Sequence, residues 1–285
     1  MLQRHLAGGG FLISEVLIFG DDQRMELAGL VLKQTGFSVC FAGMDGWKGF
    51  AAKADAVLLP YPWSVKKGTI PGRAGESWPE ALETLRPGTV IVAGRGMEPF
   101  SDILKSKQLK LRLYEDDPAF LQRNADISAE AAVSELMKRS GKMLDEQNIL
   151  LMGYGLFAKA IGWRLRMLGA RVWVAARRER QRLEATHDGF CAVDTGNLSS
   201  ILTGMDVVLN TIPSVLISTK ELRLLPDHAM LLELASPPYG IDLAAAVALE
   251  RNVTVLPGLP AAYAPQSAAK ALADAAVRLL KEMSV

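Results

Sequence analysis

The chain has 285 residues, of which 49% are apolar and 22% charged, and a formal net charge of +1. That length predicts two domains or one large one, with an apolar core that needs neither disulfides nor a metal. Charge is evenly spread, with 15 Lys/Arg against 14 Asp/Glu up to residue 125 and 17 against 17 beyond it, and there are only three histidines (His5, His187, His228) and two cysteines (Cys40, Cys191). Such a balance argues against nucleic acid or an anionic membrane as partner, against a metal site, and for a reducing cytoplasm.

The opening ten residues lack an apolar h-region, so no signal peptide is expected. Short β-rich runs then alternate with helical patterns, which predicts an α/β fold with largely parallel sheets. A buried strand is expected at 15–19, a helix over Gln23–Gln34 with Met25, Leu27, Leu30 and Val31 available for one face, and a strand at 37–41. Further strands are expected at 56–60, 89–93 and 109–114, and a helix between Met97 and Lys107. The Pro-, Gly- and Trp-rich segment 61–79 reads as a long loop, a type that is commonly functional. A helix follows over 128–139, with Ala129, Ala132, Val133, Leu136 and Met137 on one stripe and Asp126 or Ser128 as its cap. The domain boundary is placed just before it, near residue 125, giving an N-terminal substrate-side domain (1–125) and a second α/β domain (126–285). The apolar stretch 149–163 carries two glycines and Lys159 and falls short of the ~20 residues of a membrane span.

The second domain opens with a strand, Asn148–Met152, then Gly153-Tyr154-Gly155-Leu156-Phe157-Ala158 at the start of a helix reaching Leu168, then a strand at 169–174. This is the G-x-G-x-x-G/A dinucleotide fingerprint in its strand–turn–helix–strand context. Gly153 permits the tight turn, Gly155 lets a pyrophosphate approach, Ala158 lets the helix pack closely, and the helix N-terminus stabilises the phosphates. Phe157, Ile161, Leu165 and Leu168 form the expected inward stripe. An NAD enzyme places Asp or Glu at the end of the second strand, whereas this chain has Arg177 and Arg178. Guanidinium groups suit a 2′-phosphate, so NADP is expected, with NAD as the alternative. Seven arginines fall between Arg164 and Arg182, most of them read as solvated surface. Strands at 206–210, 230–235 and 253–256 each end in a Gly/Pro/Ser turn, and ligands bind at such carboxyl ends. Thr211, Ile212, Pro213 and Ala235 are therefore expected at the nicotinamide end of the cofactor. The expected class is two Rossmann-like domains, the second one dinucleotide-binding.

The runs Asn210-Thr-Ile-Pro-Ser214, Leu234-Ala-Ser-Pro-Pro-Tyr-Gly-Ile-Asp242, Pro257-Gly-Leu-Pro260 and Ala264-Pro-Gln-Ser-Ala-Ala269 resemble the dipicolinate synthase A-subunit family, the dehydrogenase-like component of that synthase in spore-forming bacteria. Gly20-Asp-Asp-Gln-Arg-Met-Glu26, Glu115-Asp-Asp117 and the segment 124–130 resemble it more weakly. The family's Arg-Gln order is inverted here as Gln23-Arg24, its Pro-Thr-x-Glu-Gly run becomes Ile127-Ser-Ala-Glu-Ala131, and a family glycine becomes Tyr239. The resemblance implies NADP-dependent oxidation of a dihydrodipicolinate-type ring to dipicolinate in sporulation, together with a second, flavoprotein-like subunit. A homo-oligomer is compatible with it. For the cyclic dicarboxylate, Arg24 and Arg95 are the candidate cations, expected to face an interdomain cleft. Tyr239 and Tyr263 offer hydroxyls, and Ser236 and Glu130 are candidates for orientation or proton transfer. The alternatives are another NAD(P)-dependent amino- or hydroxyacid dehydrogenase and a non-catalytic dinucleotide-binding regulator. Hydroxyacid chemistry needs a histidine base after the last strands, and no histidine follows His228.

Overall fold

A computed structural model describes residues 14–20, 22–62 and 78–281. The opening stretch and most of the expected 61–79 loop lie outside the described residues. The chain divides into two units: one runs through Asn124 and resumes at Ala264, and the other is Ala125–Tyr263.

The first unit is built from β1 (Glu15–Ile18), α1 (Gln23–Gln34), β2 (Ser38–Phe41), α2 (Trp47–Ala51), β3 (Ala56–Leu58), α3 (Trp78–Glu83), β4 (Val90–Ala93), α4 (Ser101–Ser106) and β5 (Lys110–Leu113). Its strands are all parallel, in the order β2-β1-β3-β4-β5. The central strands β1, β3 and β4 are apolar almost throughout and buried on both faces, as a helix-covered parallel sheet requires. Asp22 caps α1 by accepting from the Arg24 and Met25 amides, so the helix starts where its pattern predicts. Leu30, expected on the inner face, is exposed, and Ala28, Gly29 and Leu32 are buried in its place.

The linking helix α5 (Pro118–Ser140) begins ten residues earlier than its apolar stripe predicts. Asp117 is its cap, accepting from the Ala119 and Phe120 amides at 3.0 and 3.1 Å, and Pro118 occupies the first helical position. Asp126 and Ser128, the expected caps, lie inside the helix.

The second unit contains β6 (Asn148–Met152), α6 (Leu156–Met167), β7 (Arg171–Ala175), α7 (Glu179–His187), β8 (Cys191–Val193), β9 (Val207–Asn210), α8 (Thr219–Leu224), β10 (Met230–Glu233), α9 (Leu243–Ala248), β11 (Asn252–Val255) and α10 (Leu259–Tyr263). Its six parallel strands run β11-β10-β9-β6-β7-β8. Counted from β6 this is the order 6-5-4-1-2-3 of a dinucleotide-binding sheet. Both expected parallel-sheet α/β domains are present.

One assignment is corrected. The last helix, α11 (Pro265–Lys281), belongs to the first unit and not to the dinucleotide unit. Its stripe of Ala269, Leu272, Ala273, Ala276, Leu279 and Leu280 is buried in one core with Met25, Ala28 and Leu32 of α1. Small alanines allow the two helix axes to approach closely, and α1 contributes Ala28 to the shared core, while Gly29 faces Phe41 and Ile18 of the sheet. Arg278 then anchors the helix, donating from Nε and Nη2 to Asp117 Oδ2 at 2.8 and 2.7 Å.

Candidate functional site

In the second unit the strand order reverses between β6 and β9, and a cavity of about 500 Å³ opens at the carboxyl ends of the strands there. The β6–α6 turn supplies Gly153, Tyr154, Gly155, Leu156, Phe157 and Ala158. The end of β7 supplies Ala176, Arg177 and Arg178, and the end of β9 supplies Thr211, Ile212 and Pro213. Eleven of the twelve residues expected at the cofactor thus line one cavity. Ala235 does not, and its amide instead donates to Glu233 Oε1 at 2.9 Å.

The turn works through its backbone. Gly153 has φ +98°, and a Cβ there would stand 2.5 Å from Thr211 Oγ1. Gly155 has an ordinary extended conformation, but a Cβ on it would point into open space, the room a phosphate needs. Gly155 is also the N-cap of α6 and provides no side chain to satisfy the first amides of that helix. Those amides and the helix dipole form a ready anion site. Tyr154 contributes main chain only. Its ring is buried, and its hydroxyl donates to Asp188 Oδ2 at 2.6 Å. Burial and that bond raise the tyrosine pKa, and the same bond holds the Asp188 carboxyl below its usual range.

Of the seven clustered arginines, Arg171 and Arg180 are exposed and lie outside the cavity, and the other five fall into two groups. Arg164 pairs with Asp126 at 3.3 Å, Arg166 donates to the Asp188 carbonyl, and Arg182 holds Asp194 and the carbonyls of Ala176 and Arg177. These three are structural. Arg177 and Arg178 are exposed, line the cavity, and have no side-chain partner among the described residues. No carboxylate replaces them at the end of β7, where α7 also starts without a side-chain cap. The set suits a phosphate ester better than a free ribose hydroxyl.

Sequence reasoning missed Gln181, Thr195 and Leu216, which also line the cavity, as does Ser214 of the expected turn after β9. Thr195 was hidden because β8, with three residues, is too short to show an alternating pattern. It also missed Glu233, fully buried at the end of β10. Its carboxylate accepts from Asn210 Nδ2 at 2.7 Å, from the Ala235 amide, and from the Gly240 and Ile241 amides at 3.0 Å each. Asn210 in turn accepts from the Ile212 amide at 3.1 Å and donates to the Ile212 carbonyl at 3.0 Å. The turn that walls the cavity is therefore held from behind by a buried carboxylate.

The remaining candidates are dispersed. Ser236 is exposed and Tyr239 half-buried in the loop after β10, and neither lines this cavity. Glu130 accepts from the Tyr263 hydroxyl at 3.2 Å, and both line a separate cavity of about 630 Å³ with Lys138, Arg164, Met167 and Leu168. Arg24, in the first unit, is buried and committed to Asp22 and to the Tyr61 carbonyl, while Arg95 is exposed. Among the described residues, no helix is long and apolar enough to cross a membrane.

Fold and cavity together define a class: a pair of parallel-sheet α/β units, the second of them with the strand order and phosphate turn of a dinucleotide-binding dehydrogenase fold. A transhydrogenase from Sinorhizobium meliloti shares the fold, with a TM-score of 0.67 at 15% identity over 94% of each chain. Within that class, the resemblance to the dipicolinate synthase A-subunit is borne out. The chain is 26% identical to that protein of Bacillus subtilis (strain 168) over 179 residues, 63% of this chain and 60% of the relative, so the match spans less than two thirds of the relative's length. It is also similar to the crystal structure of the dipicolinate synthase A-subunit from Bacillus halodurans, with a TM-score of 0.83 and 24% identity over 95% of this chain and 99% of the other. No family model matches the chain.

Proposed function

We propose that the chain is an NADP-dependent oxidoreductase that converts a dihydrodipicolinate-type ring to pyridine-2,6-dicarboxylate. The observation that carries the reading is the pair of guanidinium groups, Arg177 and Arg178, without a side-chain partner among the described residues and beside a complete phosphate turn. The residues present fit the cofactor: Gly155 leaves open the space a pyrophosphate fills, and the arginines stand where a 2′-phosphate would lie. When bound, NADP⁺ supplies the hydride acceptor.

The chain's own residues bind and orient. The α6 amides take the pyrophosphate, and Arg177 and Arg178 take the 2′-phosphate. The turn from Thr211 to Pro213, fixed by Asn210 and Glu233, walls the other side of the cavity. The ring loses one hydride and one proton, and aromatisation supplies driving force, so positioning accounts for most of what the protein contributes. Ser236, exposed at the carboxyl end of β10, is the candidate for orienting the ring. Glu130 and Tyr263 are bound to each other in the separate cavity, and this reading assigns them no step. Because its relatives are named as one component of a synthase, the reading also takes a second, flavoprotein-like subunit, cytoplasmic location and a role in sporulation.

The test supplies the product of dihydrodipicolinate synthase and NADP⁺ to the chain, with and without the partner protein, and follows absorbance of the aromatic product. Turnover in either setting is the expected result. Cofactor binding without turnover in both would point instead to a regulatory dinucleotide-binding protein.

A further inference from the structure

The linking helix α5 carries a second face that the core of its unit does not use. Ala129, Ala132 and Leu136 point inward and are fully buried. Glu130, Val133, Ser134, Met137 and Lys138 fall on an adjacent stripe, at the i, i+3, i+4, i+7, i+8 spacing of one helical face. Arg164, Met167 and Leu168 repeat the first part of that spacing at the end of α6. The two stripes line the separate cavity of about 630 Å³, an open groove within the second unit.

The floor of the groove is apolar and yet open to water. Met137, Met167 and Leu168 are 53%, 84% and 48% exposed, and Trp163, one turn before Met167, is exposed as well. Single exposed apolar residues are ordinary, but a run of them along one groove marks a surface that another body covers. Methionine suits such a surface, being unbranched and able to fill irregular gaps. The charged groups of the α5 stripe sit on either side of a small residue. Glu130 accepts from the Tyr263 hydroxyl at 3.2 Å, Lys138 donates to Glu135 at 2.9 Å, and Ser134 lies midway between them. Arg139 also holds Glu135, so Lys138 can leave it at little cost.

We infer that this groove is the surface through which two copies of the chain pair, α5 against α5 in antiparallel sense about a two-fold axis beside Ser134. A two-fold interface presents the same patch on both sides, so its charges must complement themselves. Glu130 and Lys138 each lie four residues, or about 6 Å, from Ser134 along the helix, and the axis sets Glu130 opposite the partner's Lys138 twice over. Ser134 lets the two backbones approach at the axis, and Met137, Met167 and Leu168 lose their exposure to water. A different protein would call for no such symmetry in this face; a second copy does. The net charge of +1 leaves little repulsion between copies. The groove uses the far end of α6 from the phosphate turn, so it shares a helix with the cofactor cavity but no residue.

The test is sedimentation velocity of the full chain across the micromolar range. Wild type is expected to sediment as a dimer. Met167→Glu places a charge in the apolar floor at a position largely exposed in a single copy, so the fold is spared. Its dimer affinity is expected to fall more than about tenfold. Glu130→Lys and Lys138→Glu each set like charges against each other across the axis and are expected to weaken the dimer about tenfold. The double variant restores opposite charges and is expected to recover most of the affinity, which also shows that the single variants fold. A monomeric wild type overturns the inference. If Met167→Glu then abolishes binding of a flavoprotein-like subunit, the groove belongs to that partner instead. A wild-type dimer indifferent to Met167→Glu and to both charge reversals overturns it too. Loss in the single variants without recovery in the double overturns the antiparallel pairing.

Discussion

Asn210 and Glu233, both fully buried at the ends of adjacent strands, are joined by a hydrogen bond of 2.7 Å from the carboxamide to the carboxylate. It ties the turn after β9 to the loop after β10. Three backbone amides complete the carboxylate, so its burial is compensated.

Glu233→Ala strands those donors in the interior and is expected to cost about 3–5 kcal/mol of stability, read as a lowered urea midpoint. Glu233→Gln keeps the shape but turns an amide group toward backbone N–H donors. It is expected to lose less stability while still weakening nucleotide binding, because Asn210, which holds Ile212, loses its charged acceptor.

The two turn glycines are expected to respond differently. Gly153→Ala forces a side chain into positive φ against Thr211 and is expected to destabilise the fold by about 1–3 kcal/mol. Gly155→Val meets no protein atom and has a permitted backbone, so its melting temperature should stay near wild type. Its nucleotide affinity should fall more than tenfold, since the branched side chain occupies the phosphate space. Thermal melts with and without NADPH separate the two effects.

Much of this was legible in the sequence, and what was not has physical causes. The fingerprint turn could be read because glycine spacing, a flanking apolar strand and a following helix all report one backbone geometry. The boundaries of α1 were set by a capping aspartate and a glycine just beyond. Helix faces were read less well: Leu30, Met137 and Leu168, all expected to be buried, are exposed, because alanines and Gly29 take the inner positions. The early start of α5 was signalled by Asp117-Pro118, which the apolar stripe alone did not reach. The return of α11 to the first unit had no local signal, since an alanine stripe does not say which surface it will cover. Glu233 was equally silent, because a carboxylate inside an apolar strand becomes informative only once its four donors are known.

Acid and base limbs of stability are expected to report the Tyr154–Asp188 bond. The Asp188 carboxyl is held down chiefly by the tyrosine hydroxyl, so its stabilisation is full above the ordinary carboxyl pKa of about 3.9 and fades as pH falls through the lower folded value. Tyr154 is raised, first by burial and then by that bond, so its contribution is full below about pH 10 and fades above it. Tyr154→Phe is expected to flatten both limbs. Urea midpoints at pH 3, 6 and 10.5 check this, and an unchanged pH profile would count against it.

Asp117 both caps α5 and pairs with Arg278 of α11. Asp117→Ala is expected to cost about 2–4 kcal/mol, more than a surface ion pair alone, because cap and anchor are lost together. Arg278→Ala, which spares the cap, should cost about 1 kcal/mol or less, given the partial exposure of the arginine. Equal losses in the two variants would contradict the dual role. Chemical denaturation of both measures it.

The central claim is that Arg177 and Arg178 read a 2′-phosphate on a bound dinucleotide. Calorimetric titration of NADPH and NADH into wild type and the Arg177→Ala/Arg178→Ala double variant tests it most directly. Wild type is expected to bind NADPH at least tenfold more tightly than NADH, about 1.4 kcal/mol. The double variant is expected to lose that preference while keeping its affinity for NADH. Equal wild-type affinity for the two nucleotides, or an equal loss of both in the variant, would contradict the claim.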